Sequence, residues 1–392
     1  MKWQFLSALT WAEGLLLVSL VFISSIMTKE QDTLLSLIRA IVSGAQDVPL
    51  SMDVCGLKAM DVCWAKVMKE AARQGVQGIC FDALALLSGE MRPDKAMLLE
   101  WLGQVVGLER LYESHRKAID ALSCFYQQNG IKMMLLKGYG LSLYWPKPEH
   151  RPAGDMDIYL GGCWQQADRL VGERLGIRVD DGHEHHTCFN FRGTSVENHY
   201  DFVNTKVNGS ARELEVLFKK LASFDMALKM EKGVIYLPSP TLNAIFLIRH
   251  LGQHFAGAEA TLRQLLDWGF FMQHEHGKVD WEFVASTLKG IGIYGFFQQI
   301  NAICVDYLGF ASSSFPDIVR DAALEERIME DILSPEFCEE KPKGGTLRVI
   351  CFKTRRFFAN RWKRELVFRE GIWCQLWHGS FAHIMRFNSI KD

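Results

Sequence analysis

The sequence predicts an α+β protein, a small mixed β-sheet core flanked by helical N- and C-terminal regions, and three observations predict it. Apolar residues recur at helical spacing from Thr28 to about Gln128. The same period returns from Pro240 onward. Between these stretches, short apolar or alternating runs are bounded by glycines and turn dipeptides, which is the habit of strands. The expected organisation is a helical region at 28–128, the sheet core at 129–238 and a second helical region at 239–392, behind an apolar extension at 1–27.

Gly14 to Met27 of that extension carries no charge, and only Lys2 and Glu13 are charged upstream. Its length suits a signal-like or short anchoring segment better than a full span of about 20 apolar residues. No small-residue cleavage site follows it. The run from Met27, MTKEQDTLLSLIRAIVSG, makes a polar start to an amphipathic helix, so the preferred expectation is that translation begins at Met27. The expected location is cytoplasmic; membrane association through residues 5–27 requires that the extension be real and retained.

Leu34, Leu35, Leu37, Ile38 and Ile41 start the helical pattern, and Ala83 to Leu87 and Met97 to Leu108 repeat it. Pro93, Gly75, Gly78 and Gly89 punctuate these helices. The character changes at the turn dipeptide Asn129-Gly130. Ile131 to Leu136 then predicts a buried strand, Gly138 to Trp145 a short helix broken by Pro146 and Pro148. Asp155 to Leu160 alternates, with Asp155, Asp157 and Tyr159 on one face, and predicts a half-buried strand. A helix over Gln165 to Leu175 stops at Gly176. Strands at Thr187 to Arg192 and Ser195 to Val203 are joined through Gly193-Thr194. Leu242 to Phe255, Ala260 to Gln273 and Trp281 to Leu288 are amphipathic helices.

Composition sets limits. Hydrophobic residues make up 48% and charged residues 23%, as in ordinary globular chains. The net charge of −2 excludes a global field for nucleic acid or acidic membranes, so any polyanion site must be local. Ten cysteines are scattered without a C-x-x-C pair, and several have apolar neighbours, as in Ile79-Cys80-Phe81. That usage fits reduced thiols inside a cell rather than a disulfide framework.

The chemistry concentrates between Leu135 and Leu160. Residues two apart on a strand project to one side, so the carboxylates of Asp155 and Asp157 converge on one hard cation, with Mg2+ expected and Mn2+ as the alternative. Gly154 lets backbone approach closely, and Arg151 is placed to meet a phosphate with both arms of its guanidinium. Lys137-Gly138 lies between a buried strand and a helix start, a natural anion seat. In the later strand Glu197, His199 and Asp201 share a face. Glu197 supplies a third carboxylate for a two-metal arrangement, and His199 would donate to a phosphate or orient Glu197.

The ordered set Lys137-Gly138, Tyr144-Trp145-Pro146, Arg151 to Ile158 and Val196 to His199 resembles the uncharacterised nucleotidyltransferase family of bacteria, within the DNA polymerase beta-like superfamily. His250 to Phe255 and Leu262 to Trp268 are similar to that family's helical module. The resemblance covers roughly residues 30 to 290. It implies metal-binding Asp155 and Asp157, an acid on the neighbouring strand (here Glu197), a nucleoside triphosphate as substrate and a hydroxyl-bearing acceptor that the sequence does not name. The superfamily's usual Gly-Ser pair is replaced by Lys137-Gly138, with Ser142 too far along to substitute.

Other motifs are weighed against it. His250 and His254 share a helix face, and Arg263 and Asp267 form a second i,i+4 pair. H-E-x-x-H is absent, so these four are expected to knit the helical module or border the cleft. His183, His185 and His186 could trap zinc, although a polar loop beside the sheet is the simpler expectation. Lys343 to Arg369 carries nine Lys or Arg against one acid, interleaved with aromatics. It could track a phosphate backbone, making a nucleic-acid-modifying transferase, but an amphipathic scaffold helix is favoured. The other alternative is a catalytically silent module that binds nucleotide or protein.

Overall fold

The strands form where short runs of Met, Ile, Leu, Val and Phe are cut by residues that cannot continue them. The computed structural model describes residues 27–44, 62–205, 209–257, 259–337, 342 and 345–377. The extension at 1–26, with Cys55 and Cys338, lies outside them.

The N-terminal helices are α1 (Lys29–Val42), α2 (Trp64–Arg73) and α3 (Gln77–Ala83). Thr28 caps α1 in a reciprocal box with Gln31. Next comes α4 (Lys95–Gln128), one helix of 34 residues capped by Asp94. Chain reversal at Gly130 (φ 73°) leads into β1 (Met133–Leu135). A single turn, α5 (Tyr139–Ser142), replaces the longer helix expected to Trp145. Strand β2 (Met156–Tyr159) and helix α6 (Trp164–Leu175) follow. The hairpin is β3 (His186–Phe191) and β4 (Thr194–His199). It turns through Arg192 and Gly193, both at positive φ, one residue earlier than expected.

Helix α7 (Gly209–Leu221) precedes β5 (Met226–Lys229) and β6 (Val234–Leu237), two strands that the periodicity did not predict. The C-terminal helices are α8 (Pro240–Gly257), α9 (Leu262–Glu275), α10 (Trp281–Gly290), α11 (Tyr294–Asp306), α12 (Ala322–Leu333), α13 (Thr346–Ala359) and α14 (Arg361–Val367).

The sheet has six strands in the order β3-β4-β2-β1-β6-β5. The β2–β4 and β1–β6 pairs are parallel, and the other three pairs are antiparallel. One face carries Met133, Leu135, Met156, Ile158, Val196, Phe189 and Ile235, buried together with Ile119, Leu122 and Tyr126 of α4 and Ala167 and Val171 of α6. A second core joins the N-terminal helices to the C-terminal ones through Leu34, Ile38, Val67, Leu242, Phe255, Leu265, Phe296 and Ile328. Gln74 ties these two regions by polar contacts. Its amide donates to the Ile332 carbonyl at 2.7 Å and its carbonyl accepts from Leu262 N–H at 2.9 Å.

Strand β2 is buried along its whole length rather than half-buried, because the C-terminal helices cover the face that bears Asp157. The basic segment folds as α13 and α14. There Val349, Phe352, Val367 and Phe368 are buried, and the Lys363 ammonium is enclosed against Asp331 at 2.7 Å. The cysteines among the described residues are free. No helix among the described residues is long and apolar enough to cross a membrane.

Candidate active site

Parallel pairing of β2 with β4 builds the site. In that register Asp157 lies opposite Glu197 and Tyr159 opposite His199. Side chains at register partners share a sheet face, so the alternation that sends Met156, Ile158 and Val196 into the apolar core sends Asp157, Glu197 and His199 to the other side. They form one wall of a cavity of about 370 Å³. All the site residues expected from the sequence, Lys137, Gly138, Arg151, Gly154, Asp155, Asp157, Glu197 and His199, line it. Its size falls in the usual range for small-molecule sites.

Asp157 is only 7% exposed. Its Oδ1 lies 2.8 Å from Lys137 Nζ and 3.1 Å from His199 Nε2. Burial pushes the Asp157 pKa up, but Lys137 and His199 together outweigh it and hold the carboxyl well below the usual carboxylate range. Glu197 Oε2 lies 3.4 Å from the same His199 nitrogen, and that hydrogen bond lowers its pKa against the effect of burial. His199 is itself raised, because its two carboxylate partners overcome a larger single penalty from burial. Asp155 sits just before β2, exposed at the cavity mouth. Its pKa is raised by burial first and then by the charges of Glu197 and Asp157. That mutual repulsion is what a divalent cation relieves, and carboxylate oxygens are the donors such a hard ion takes. The residues present fit the ion.

Three expectations change here. Arg151 is buried and engaged bidentately by Asp267, Nε to Oδ1 at 2.7 Å and a terminal nitrogen to Oδ2 at 2.8 Å, so its fork is already filled. The expected Arg263–Asp267 pair is therefore not formed. Asp267 instead holds Arg151 and accepts from Trp145 Nε1 at 2.9 Å. Gly154 meets no steric demand, since a Cβ there would face open space.

The anion seat also differs from expectation. Gly138 takes φ 62° and ψ −113°, a conformation that excludes larger residues, and a Cβ would meet the Asp155 carbonyl at 3.5 Å. The helix it opens is one turn long, too short to develop a dipole of consequence. Ser142 cannot replace the missing serine, because it is buried and its hydroxyl donates to the Tyr139 carbonyl at 2.7 Å.

Sequence reasoning underweighted the opposite wall. His250 and His254 of α8 contact each other edge-on at 4.5 Å and line the cavity with Gln253, Arg263 and Gln264. Burial is the main cause that lowers both imidazoles, with Lys137 adding to it, so they are neutral donors. The Nε of Arg263 is buried without a partner among the described residues. The i,i+4 spacing of the histidines was the one signal available. Beyond β4, burial pushes His185 down to about 3 and His186 to about 4.

A six-stranded mixed sheet that presents paired carboxylates to a cavity roofed by helices defines an α+β nucleotidyltransferase core. The family model described as an uncharacterised nucleotidyltransferase matches residues 61–309, and the chain belongs to that family. No curated protein and no solved structure matches it.

Proposed function

We propose that the protein moves a nucleoside monophosphate from a nucleoside triphosphate to a hydroxyl of an acceptor, in a reaction that depends on Mg2+ or Mn2+. The observation that carries this reading is the register pairing of Asp157 with Glu197, beside an Asp155 whose pKa is raised by burial and then by their charges.

Asp155, Asp157 and Glu197 would hold the ions. Divalent cations there would activate the acceptor hydroxyl and neutralise charge on the transferring phosphoryl group. Lys137 follows the phosphates by exchanging its contact with Asp157 for one with an oxygen of the substrate. Arg263 and His254 face the carboxylates across the cavity and supply the grip that the absent Gly-Ser pair would otherwise give. The acceptor oxygen bonds to the α-phosphorus as the bond to its bridging oxygen breaks. Pyrophosphate leaves, and the hydroxyl proton passes to Glu197.

The test is release of pyrophosphate from each nucleoside triphosphate in the presence of Mg2+ and a cell extract, with the labelled product identified. Turnover is expected from the wild type and not from the Asp155→Asn, Asp157→Asn double variant; equal turnover in both overturns the assignment. A second reading has one observation in its favour: Lys137 and His199 already balance the charge of Asp157. On that reading the fold binds nucleotide without turning it over. A Mg2+-dependent thermal shift with nucleotide, without pyrophosphate, would support it.

A further inference from the structure

The polar face of the sheet does not end at the carboxylates. Antiparallel pairing of β3 with β4 sets His186 opposite His199 and Cys188 opposite Glu197, and His185 directly precedes β3. The ring centroids of His185 and His186 lie 4.5 Å apart. Those of His185 and His186 lie 5.4 and 5.1 Å from that of His199. One nitrogen from each ring lies within 4.8 Å of the other two.

Glu197 closes the group. One of its oxygens is 3.4 Å from His199 Nε2, and the other is 3.9 Å from His186 Nε2. The surroundings explain little of this crowding. His186 is 8% exposed, yet its Nδ1 has no hydrogen-bond partner among the described residues, and neither does the buried Nδ1 of His185. Buried polar atoms are normally satisfied, so two orphaned imidazole nitrogens in one cluster point to an absent ligand. His199 already carries the outer contact of a metal-binding histidine, since its Nδ1 donates to the Asp201 carbonyl at 3.3 Å; its Nε2, now 3.1 Å from Asp157 Oδ1, borders the cluster and would exchange that contact for the ion.

We propose that His185, His186 and His199, with Glu197 as the fourth ligand, form a site for a borderline transition-metal ion of the zinc class, beside the hard-cation position at Asp155 and Asp157. Three imidazoles and one carboxylate suit Zn2+ or Co2+ and are a poor set for Mg2+, which takes oxygen donors and water. Glu197 then belongs to both positions and couples them. The ligand set stands on its own geometry. Only its relation to a second, hard ion rests on the nucleotidyltransferase reading.

The test is metal uptake by the full chain, stripped with chelator and titrated with Co2+ and then Zn2+ in excess Mg2+. One equivalent of Co2+ should bind, giving visible ligand-field bands without a sulfur charge-transfer band, and Zn2+ should displace it. His185→Ala and His186→Ala should each raise the dissociation constant by more than about 100-fold, beyond the roughly 10–100-fold cost of losing an outer partner. His185→Gln and His186→Gln, checked by circular dichroism, guard against loss of fold. Asp155→Asn should leave uptake unchanged while abolishing nucleotide transfer, so failure of the catalytic reading and of this one give different results. Failure to bind one equivalent in excess Mg2+, uptake indifferent to all four histidine variants, or uptake lost in Cys188→Ser would overturn the proposal.

Discussion

Two lysine–aspartate pairs of almost equal length serve the two halves of the molecule in opposite ways. In the sheet, Lys137 Nζ meets Asp157 at 2.8 Å, and the lysine side chain keeps 20% of its surface at the cavity. In the C-terminal helices, Lys363 Nζ meets Asp331 at 2.7 Å, with the side chains 1% and 2% exposed. Lys363 touches both aspartate oxygens and lies 5.4 Å from the Phe255 ring, and the further partner of Asp331 is uncharged, the Glu336 N–H at 3.2 Å. Lys137 can swing toward the cavity, and Asp157 would still hold His199. Bond length therefore says little about what an ion pair is for. Exposure of the lysine, and a second charged partner for the aspartate left behind, separate a pair that can open from one that only holds the fold together.

The largest effect expected tests the open side of this contrast. The Asp155→Asn, Asp157→Asn double variant should lower the rate of pyrophosphate release by about 10⁴-fold, equivalent to roughly 5 kcal/mol of transition-state stabilisation. Circular dichroism should show that the double variant keeps the wild-type fold. Next, Lys363→Met leaves Asp331 charged and enclosed, and should cost about 3–5 kcal/mol in urea unfolding. Adding Asp331→Leu should recover most of that loss. A Lys363→Met variant as stable as wild type would remove the distinction between the pairs. Third, Lys137→Met should slow transfer by about 10²-fold, the scale of losing one donor to developing charge. Its stability should change by no more than about 1 kcal/mol. If stability fell as far as in Lys363→Met, Lys137 would have to be regarded as a structural residue.

The same contrast explains what the sequence made legible. Asp157, Glu197 and His199 could be placed on strand faces because alternation is a local property of the chain. That Asp155 to Leu160 and Val196 to His199 form neighbouring strands was open to inference only through the ordered motif. Their parallel register belongs to tertiary structure. Strands β5 and β6 escaped because Met226 to Lys229 is largely exposed and carries no apolar alternation. Their hairpin is held by α4, where the Asp120 carboxylate accepts from Lys232 and Gly233 N–H at 2.9 and 3.0 Å, across more than a hundred residues. Arg151 was misjudged for the same reason. Its partner Asp267 is 116 positions away, and a local reading assigned that aspartate to Arg263. Helical spacing placed His250 and His254 on one face but could not say that this face looks across a cavity at three carboxylates.

The smallest effect expected concerns a buried clamp whose charge can be removed without mutation. His150 is 5% exposed and joins the turn before Arg151 to α3 and α4, with Nδ1 2.7 Å from Asp82 and Nε2 3.1 Å from Glu109. Burial works to lower its pKa, but the hydrogen bond and charge of Asp82, with Glu109 adding to them, raise it above the ordinary histidine value. A group whose pKa is raised by folding stabilises most when it is protonated in both states, below the unfolded value of about 6.5. That contribution is lost as pH climbs through the native value, and a charge-assisted contact of this kind is worth on the order of 1 kcal/mol. The measurement is urea unfolding of wild type and His150→Gln across neutral pH. The stability advantage of wild type should be greatest on the acid side and shrink as pH rises. An advantage that stays level would mean that His150 holds the turn as a neutral ring, and the imidazolium clamp would then have no place beside the Lys363 pair.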